Sequence, residues 1–188
     1  ILYRLVGSEM CIRDRLEDDW YWRTEATDWG YIWALPENKQ NHPKYRPFYR
    51  YVRDLIQGFN HNLNGWIDWN LVLNTRGGPN HAFNFCGAPI LVDSGTNSAY
   101  YTPLYYAIAH FSKFVRPNAQ RIGFELSEES PIWTTAFINE DGSVVVAVFN
   151  PEEEATSYTV KLKGRKSVKV TLGPQSLQTV VLLSLIHI

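Results

Sequence analysis

Two cysteines in 188 residues, Cys11 and Cys86, are too few for a disulfide framework or a closed thiolate metal site. No apolar run is long enough to span a bilayer as a helix. Excess charge of either sign is missing too. Eighteen Lys and Arg stand against nineteen Asp and Glu, a formal net charge of −1, so electrostatics gives no reason to expect DNA, RNA or an anionic surface as partner. No N-x-S/T glycosylation acceptor occurs. What the chain has is apolar and aromatic substance. Its 45% hydrophobic residues can build a sizeable core, and 7 Trp with 11 Tyr suit either an aromatic core or a carbohydrate-facing surface.

The two ends stand apart from the rest. Residues 1–15, ILYRLVGSEMCIRDR, and 184–188 with the preceding Leu183 resemble translated adapter read-through at the ends of assembled transcripts. The first stretch also lacks any period that would give it a face to bury. Both are set aside from the fold reading as non-native ends, and Cys11 goes with them. Cys86 reads as a small buried hydrophobe, since no partner His can be placed beside it.

Residues 16–40 are acidic and then densely aromatic, with neither a two-residue nor a 3.6-residue period, which predicts a long ordered loop. Glu25 and Asp28 could form an acid and base pair there. The plainer reading has them satisfying backbone donors or pairing with Arg23 while Trp20, Trp22, Trp29 and Trp33 pack. From Pro43 to Phe59 the apolar residues Tyr45, Phe48, Tyr49, Val52, Leu55, Ile56 and Phe59 recur at three- and four-residue intervals. That spacing predicts an amphipathic helix packed on a sheet.

Asn64 to Phe85, NGWIDWNLVLNTRGGPNHAFNF, is the stretch around which the chain is organised. Gly65 to Leu73 predicts a strand with Trp66 and Asp68 on one face and Ile67 and Trp69 on the other, buried on both sides as in a parallel sheet or barrel. A Gly77-Gly78-Pro79 turn follows, and then a polar-aromatic loop. Ala88 to Asp93 predicts another strand, and Asp93 to Asn97 a turn. Thr102 is placed to cap a second helix with Pro103 at its first position, apolar nearly all round. His110 within it reads as a packed, hydrogen-bonded histidine, because nothing at metal-site spacing accompanies it.

Past Pro117 the period changes. Six short runs, 120–126, 132–138, 144–149, 157–162, 167–172 and 177–183, are rich in β-branched or aromatic residues. Asn139-Glu-Asp-Gly142, Asn150-Pro151 and Lys163-Gly-Arg-Lys punctuate them, predicting an antiparallel β-sandwich. The expected division is therefore 16–117, the end of an α/β domain, and 118–183, an all-β domain.

Aromatic faces beside amide and carboxylate groups are how proteins hold sugars: the C–H face of a pyranose stacks on an indole while Asp and Asn take the hydroxyls. Trp69 and Asn84 are the best pair for this, with structural Trp in a barrel core as the competing reading. The block GWIDWNLVLNTRGGPNHAFNF, with PILVD, YYTPLYYAIAHFSKFVRP and QRIG, resembles the C-terminal part of glycoside hydrolase family 30, glucosylceramidase type. DGSVVVAVFN is similar to the family's sandwich domain.

The resemblance implies an α/β plus all-β fold, the C-terminal part of a (β/α)8 TIM barrel joined to an antiparallel β-sandwich. It implies retaining hydrolysis of the β-glucosidic bond of glucosylceramide by a nucleophile and an acid/base Glu. Both are expected upstream of Leu16, so no catalytic residue is assigned here and the fragment alone is expected to be inactive. Carried over position by position, Trp69 and Asn84 correspond to sugar-binding residues, Asp68 supports the site, and Phe85 lines its mouth. Trp29 and Trp33 shape the aglycone entrance.

No metal or organic cofactor is implied. The expected partners are glucosylceramide or another β-glucoside, a saposin-like activator and peripheral lipid contact, in a lysosomal or extracellular setting. Two alternatives remain: another family 30 glycosidase acting on β-glucan or xylan, and a non-catalytic carbohydrate-binding β-sandwich. A free-standing binding module does not account for the helices and Trp-rich segment before residue 117.

Overall fold

The structure, a computed structural model, describes residues 46–68, 70–79, 87–127, 130–164 and 166–183. Residues 1–15 and 184–188, expected to be non-native, and the aromatic loop expected at 16–40 lie outside them. Two helices and nine strands are formed among these residues: α1 (Arg46–Asn60), β1 (Val72–Asn74), β2 (Ile90–Asp93), β3 (Ser98–Tyr101), α2 (Pro103–Ser112), β4 (Gln120–Ile122), β5 (Trp133–Ile138), β6 (Val144–Asn150), β7 (Thr156–Val160), β8 (Val168–Leu172) and β9 (Ser176–Leu182). They fall into two compact units. Leu63–Tyr106 belong to the first, and Tyr49–Asn62 with the chain from Ala107 onward to the second.

In the first unit, β1 and β2 run parallel with Val72 opposite Ile90, and β3 returns antiparallel to β2. Leu73, Ala88 and Leu91 form its core, with Tyr100 packed against them. The expected strand over Gly65 to Leu73 is a correction: only Val72–Asn74 form strand, because a strand exists where a ladder partner exists, and β2 supplies one to three residues alone. Leu73 is enclosed, while Ile67, Leu71 and Val72 are 56%, 60% and 48% exposed.

The second unit is layered. β4, β5, β6 and β9 form an antiparallel sheet, and β7 pairs with β8 in a two-stranded one. Side chains alternate between two partners, so β5 and β6 are buried nearly throughout. On one face Trp133 and Phe149 meet Tyr49 of α1, with ring centroids 5.0 and 5.4 Å away, and Phe137 meets Phe59 at 5.2 Å. On the other, Ile132 and Val148 cluster with Leu172 of β8, beside Val146 and Tyr158. Tyr158 reaches back to Gln178 of β9 through a 2.9 Å hydrogen bond.

The stripe on α1 therefore packs on a sheet, as its spacing predicts. Val52, Leu55 and Ile56 are at most 2% exposed. Buried Asn139 ties α2's end to the β5–β6 turn, its Oδ1 accepting from the Arg116 amide at 3.0 Å and its Nδ2 donating to the Phe114 carbonyl and the Ser143 hydroxyl. Asn150, fully buried, does the same between β6 and β9, donating to the Glu154 and Gly173 carbonyls. No described helix is long and apolar enough to cross a membrane.

Candidate active-site segment

The carboxyl ends of parallel strands are where α/β folds place ligands, because the loops leaving them are free to vary over a rigid base. β1 ends at Asn74, whose side chain builds the turn that follows. Its Oδ1 accepts from the amides of Arg76 and Gly78, both at 2.9 Å, and its carbonyl accepts from Gly77. Gly77 takes φ 80°, a left-handed conformation that a side chain would oppose, and the Gly78–Pro79 peptide is cis. Asn74 thus fixes the direction in which the chain departs.

The chain returns at Ala88, where a second anchor waits. The Thr102 hydroxyl donates to the carbonyls of Ala88 and Pro89, each at 3.0 Å. This corrects the expected side-chain cap: the helix start is instead closed through the Thr102 carbonyl, which accepts from the Tyr105 amide. The hydroxyl proton is turned back to the strand entry, and the first-turn amide of Tyr105 is taken by the Thr102 carbonyl. The described residues on either side of 80–86 are tied by exposed Asn74 before the segment and by buried Thr102 after it. Neither Asn74 nor Thr102 is singled out by period; the signal in each case is an Asn or Thr beside a Gly- or Pro-marked turn.

Of the four residues expected at a sugar site, Asp68 is described, half-buried in the irregular segment that leads to β1. Trp69, Asn84 and Phe85 lie outside the described residues, as does Cys86. Glu25, Asp28, Trp29 and Trp33 also lie outside them. Trp66 is half-buried beside Asp68.

Asp93 stands at the carboxyl end of β2. The Gly95 amide donates to it at 2.9 Å and the Thr96 hydroxyl at 3.0 Å, and these bonds hold its carboxyl below the ordinary 3.8. A carboxylate committed to its own turn is an anion and a poor proton donor. Among the described residues no three His, Cys, Asp or Glu side chains gather as a metal would need.

His110 is half-buried on α2 and hydrogen-bonded to Thr179 of β9 at 2.9 Å through Nδ1. Burial pulls its pKa below 6.5. The Thr179 hydroxyl already donates to the His110 carbonyl, so Nδ1 carries the proton in their mutual bond.

Residues 23–115 match the glycosyl hydrolase family 30 TIM-barrel domain, and residues 118–180 match the family's β-sandwich domain. The chain belongs to glycosyl hydrolase family 30. Its fold is accordingly the barrel-plus-sandwich architecture of that family, of which this chain carries a C-terminal portion of the barrel and the sandwich strands. The lysosomal acid glucosylceramidase of Mus musculus is 39% identical over 111 residues, 59% of this chain and 22% of the mouse protein. Among solved structures, SrfJ from Salmonella typhimurium superposes with a TM-score of 0.69 at 34% identity, over 74% of this chain and 31% of that one. An endo-β1,6-glucanase superposes at 0.63 and 26% identity, over 69% and 30%. The chain thus spans about a quarter of the length of the curated relatives it matches.

Proposed function

We propose that the intact protein is a retaining β-glycosidase that cleaves the β-glucosidic bond of glucosylceramide to glucose and ceramide. The observation that carries this reading is the 39% identity to the mouse glucosylceramidase, which spans 59% of this chain. Residues 16–117 are the C-terminal portion of the catalytic barrel and 118–183 the sandwich, a division supported by family matches on either side of Pro117.

Within this reading two carboxyls about 5 to 5.5 Å apart act as nucleophile and acid/base through a covalent glycosyl-enzyme. Both stand upstream of Leu16, and this chain contributes the wall on which the sugar rests. Trp69 stacks on the pyranose face, Asn84 holds a hydroxyl, Asp68 supports the site and Phe85 lines the mouth. Contacts of this kind accelerate hydrolysis when they tighten as the ring flattens toward an oxocarbenium ion. The described residues that flank 80–86, the segment of Asn84 and Phe85, are ordered by Asn74 and Thr102. The chain alone is inactive, since it carries neither acid. A lysosomal or secreted setting is supported by the same likeness, and contact with lipid or a saposin-like activator is part of the proposal.

A second reading, hydrolysis of a β-1,6-glucan, has the endo-β1,6-glucanase structure in its favour. Assaying the full-length protein for ceramide release from glucosylceramide beside hydrolysis of β-1,6-glucan and xylan separates them. Lipid turnover, lost when the upstream nucleophile Glu is replaced, supports the first; polymer cleavage without lipid turnover supports the second.

A further inference from the structure

Asn64 and Gly65 are adjacent, both exposed, in the irregular segment between α1 and β1. In this chain, which spans about a quarter of its relatives' length, neither residue makes a hydrogen bond among the described residues, so no described group holds the Gly65 amide or turns the Asn64 side chain away from it. A glycine here has no Cβ to hinder approach of its nitrogen to the preceding side chain. Asparagine is chemically labile in this setting. We infer that Asn64 is a site of spontaneous deamidation, selective among the described asparagines.

The step balances without an enzyme. The deprotonated Gly65 nitrogen attacks Cγ of Asn64, a C–N bond forms, the Cγ–Nδ2 bond breaks, and ammonia leaves with the transferred proton. Water then opens the five-membered imide at either carbonyl, giving aspartate or isoaspartate. The net change is one water consumed, one ammonia released and one negative charge gained. In isoaspartate the backbone also lengthens by one methylene, two residues before Trp66 and four before Asp68.

The other asparagines are protected for identifiable reasons. Asn150 precedes Pro151, which has no N–H, and Asn139 has its side chain committed to three hydrogen bonds. Asn118 is followed by an amide bonded to the Arg116 carbonyl, and Asn97 by Ser98, paired in the β2–β3 ladder. Asn74 uses its Oδ1 in the turn, and Asn60 donates to the Thr134 carbonyl. Asn62 and Asn70 precede Leu, whose side chain crowds the nitrogen. The one Asp-Gly pair, Asp141-Gly142, is locked as well: Gly142 donates to the Asn139 carbonyl and the Asp141 carboxylate accepts from Ser143.

The test stands apart from any glycosidase activity. The full-length protein is incubated at neutral pH and body temperature, then mapped by peptide mass spectrometry with enzymatic methyl labelling of isoaspartate. Gly65→Ala and Asn64→Gln are treated alongside, with circular dichroism checking that each keeps the fold; a Cβ at position 65 meets nothing within 4 Å in this chain. Expected are aspartate and isoaspartate accumulating at position 64 ahead of every other described asparagine, marked slowing in Gly65→Ala and abolition in Asn64→Gln. Asn64 staying intact in the folded protein while it deamidates in a denatured control overturns the inference, as does equal conversion at Asn62 or Asn70.

Discussion

Thr135 is fully buried on β5, and its hydroxyl finds no partner among the described residues. A buried hydroxyl that gives up water without a hydrogen bond costs stability. Thr135→Val keeps the shape and removes the unpaired group, so it is expected to raise unfolding free energy by about 1 kcal/mol. Chemical denaturation of the two proteins checks this, and a destabilised valine variant contradicts it. His110 works the other way. Its folded pKa is lowered by burial, so the folded state resists the proton that the unfolded state accepts. The stability it permits is fully present above pH 6.5 and is lost as pH falls through 6.5 toward the folded value. His110→Gln should flatten the pH dependence of the melting temperature in that window. At the proposed sugar site, Trp69→Ala should cost on the order of tenfold to a hundredfold in kcat/KM for a β-glucoside, with secondary structure by circular dichroism unchanged.

Among the elements, the sandwich strands are readable in sequence to within a few residues because their alternation answers to two separate partners. Trp133, Phe137 and Phe149 face the aromatic side of α1, and Ile132 and Val148 face β8. Turn residues sharpen the limits, as with Gly142 at φ 74° between β5 and β6. β3 is not readable, since Ser98–Tyr101 has little apolar contrast and owes its existence to pairing with β2. The length of β1 is misread for the complementary reason: GWIDWNLVL has the composition of a strand, and composition does not state where a ladder partner stops.

The ties between elements are invisible to pattern as well. Asn139 looks like turn punctuation, yet its side chain joins the end of α2 to the β5–β6 hairpin. Asn139→Ala strands the Arg116 amide and the Phe114 carbonyl and should destabilise the protein by roughly 2 to 3 kcal/mol. Denaturant unfolding of the intact protein tests the figure, and a change within experimental noise would mean water replaces the amide without cost.

At the scale of the whole molecule, period and composition reach a helix-bearing segment followed by an antiparallel β domain, with a change of character near Pro117. The barrel was legible only through the WIDWN and GGPN motifs, because a few elements of a closed barrel carry no signature of closure. The sugar-binding proposal rests on residue chemistry, an indole at Trp69 and an amide at Asn84, while the ties made by Asn74 and Thr102 carry no signal in period or composition. We propose that the intact protein is a glucosylceramide-cleaving enzyme. The direct measurement is ceramide release from glucosylceramide by the full-length protein, with β-1,6-glucan and xylan hydrolysis beside it. Ceramide release that falls sharply in Trp69→Ala and vanishes without the upstream nucleophile is the predicted result; polymer cleavage with no ceramide release would contradict it.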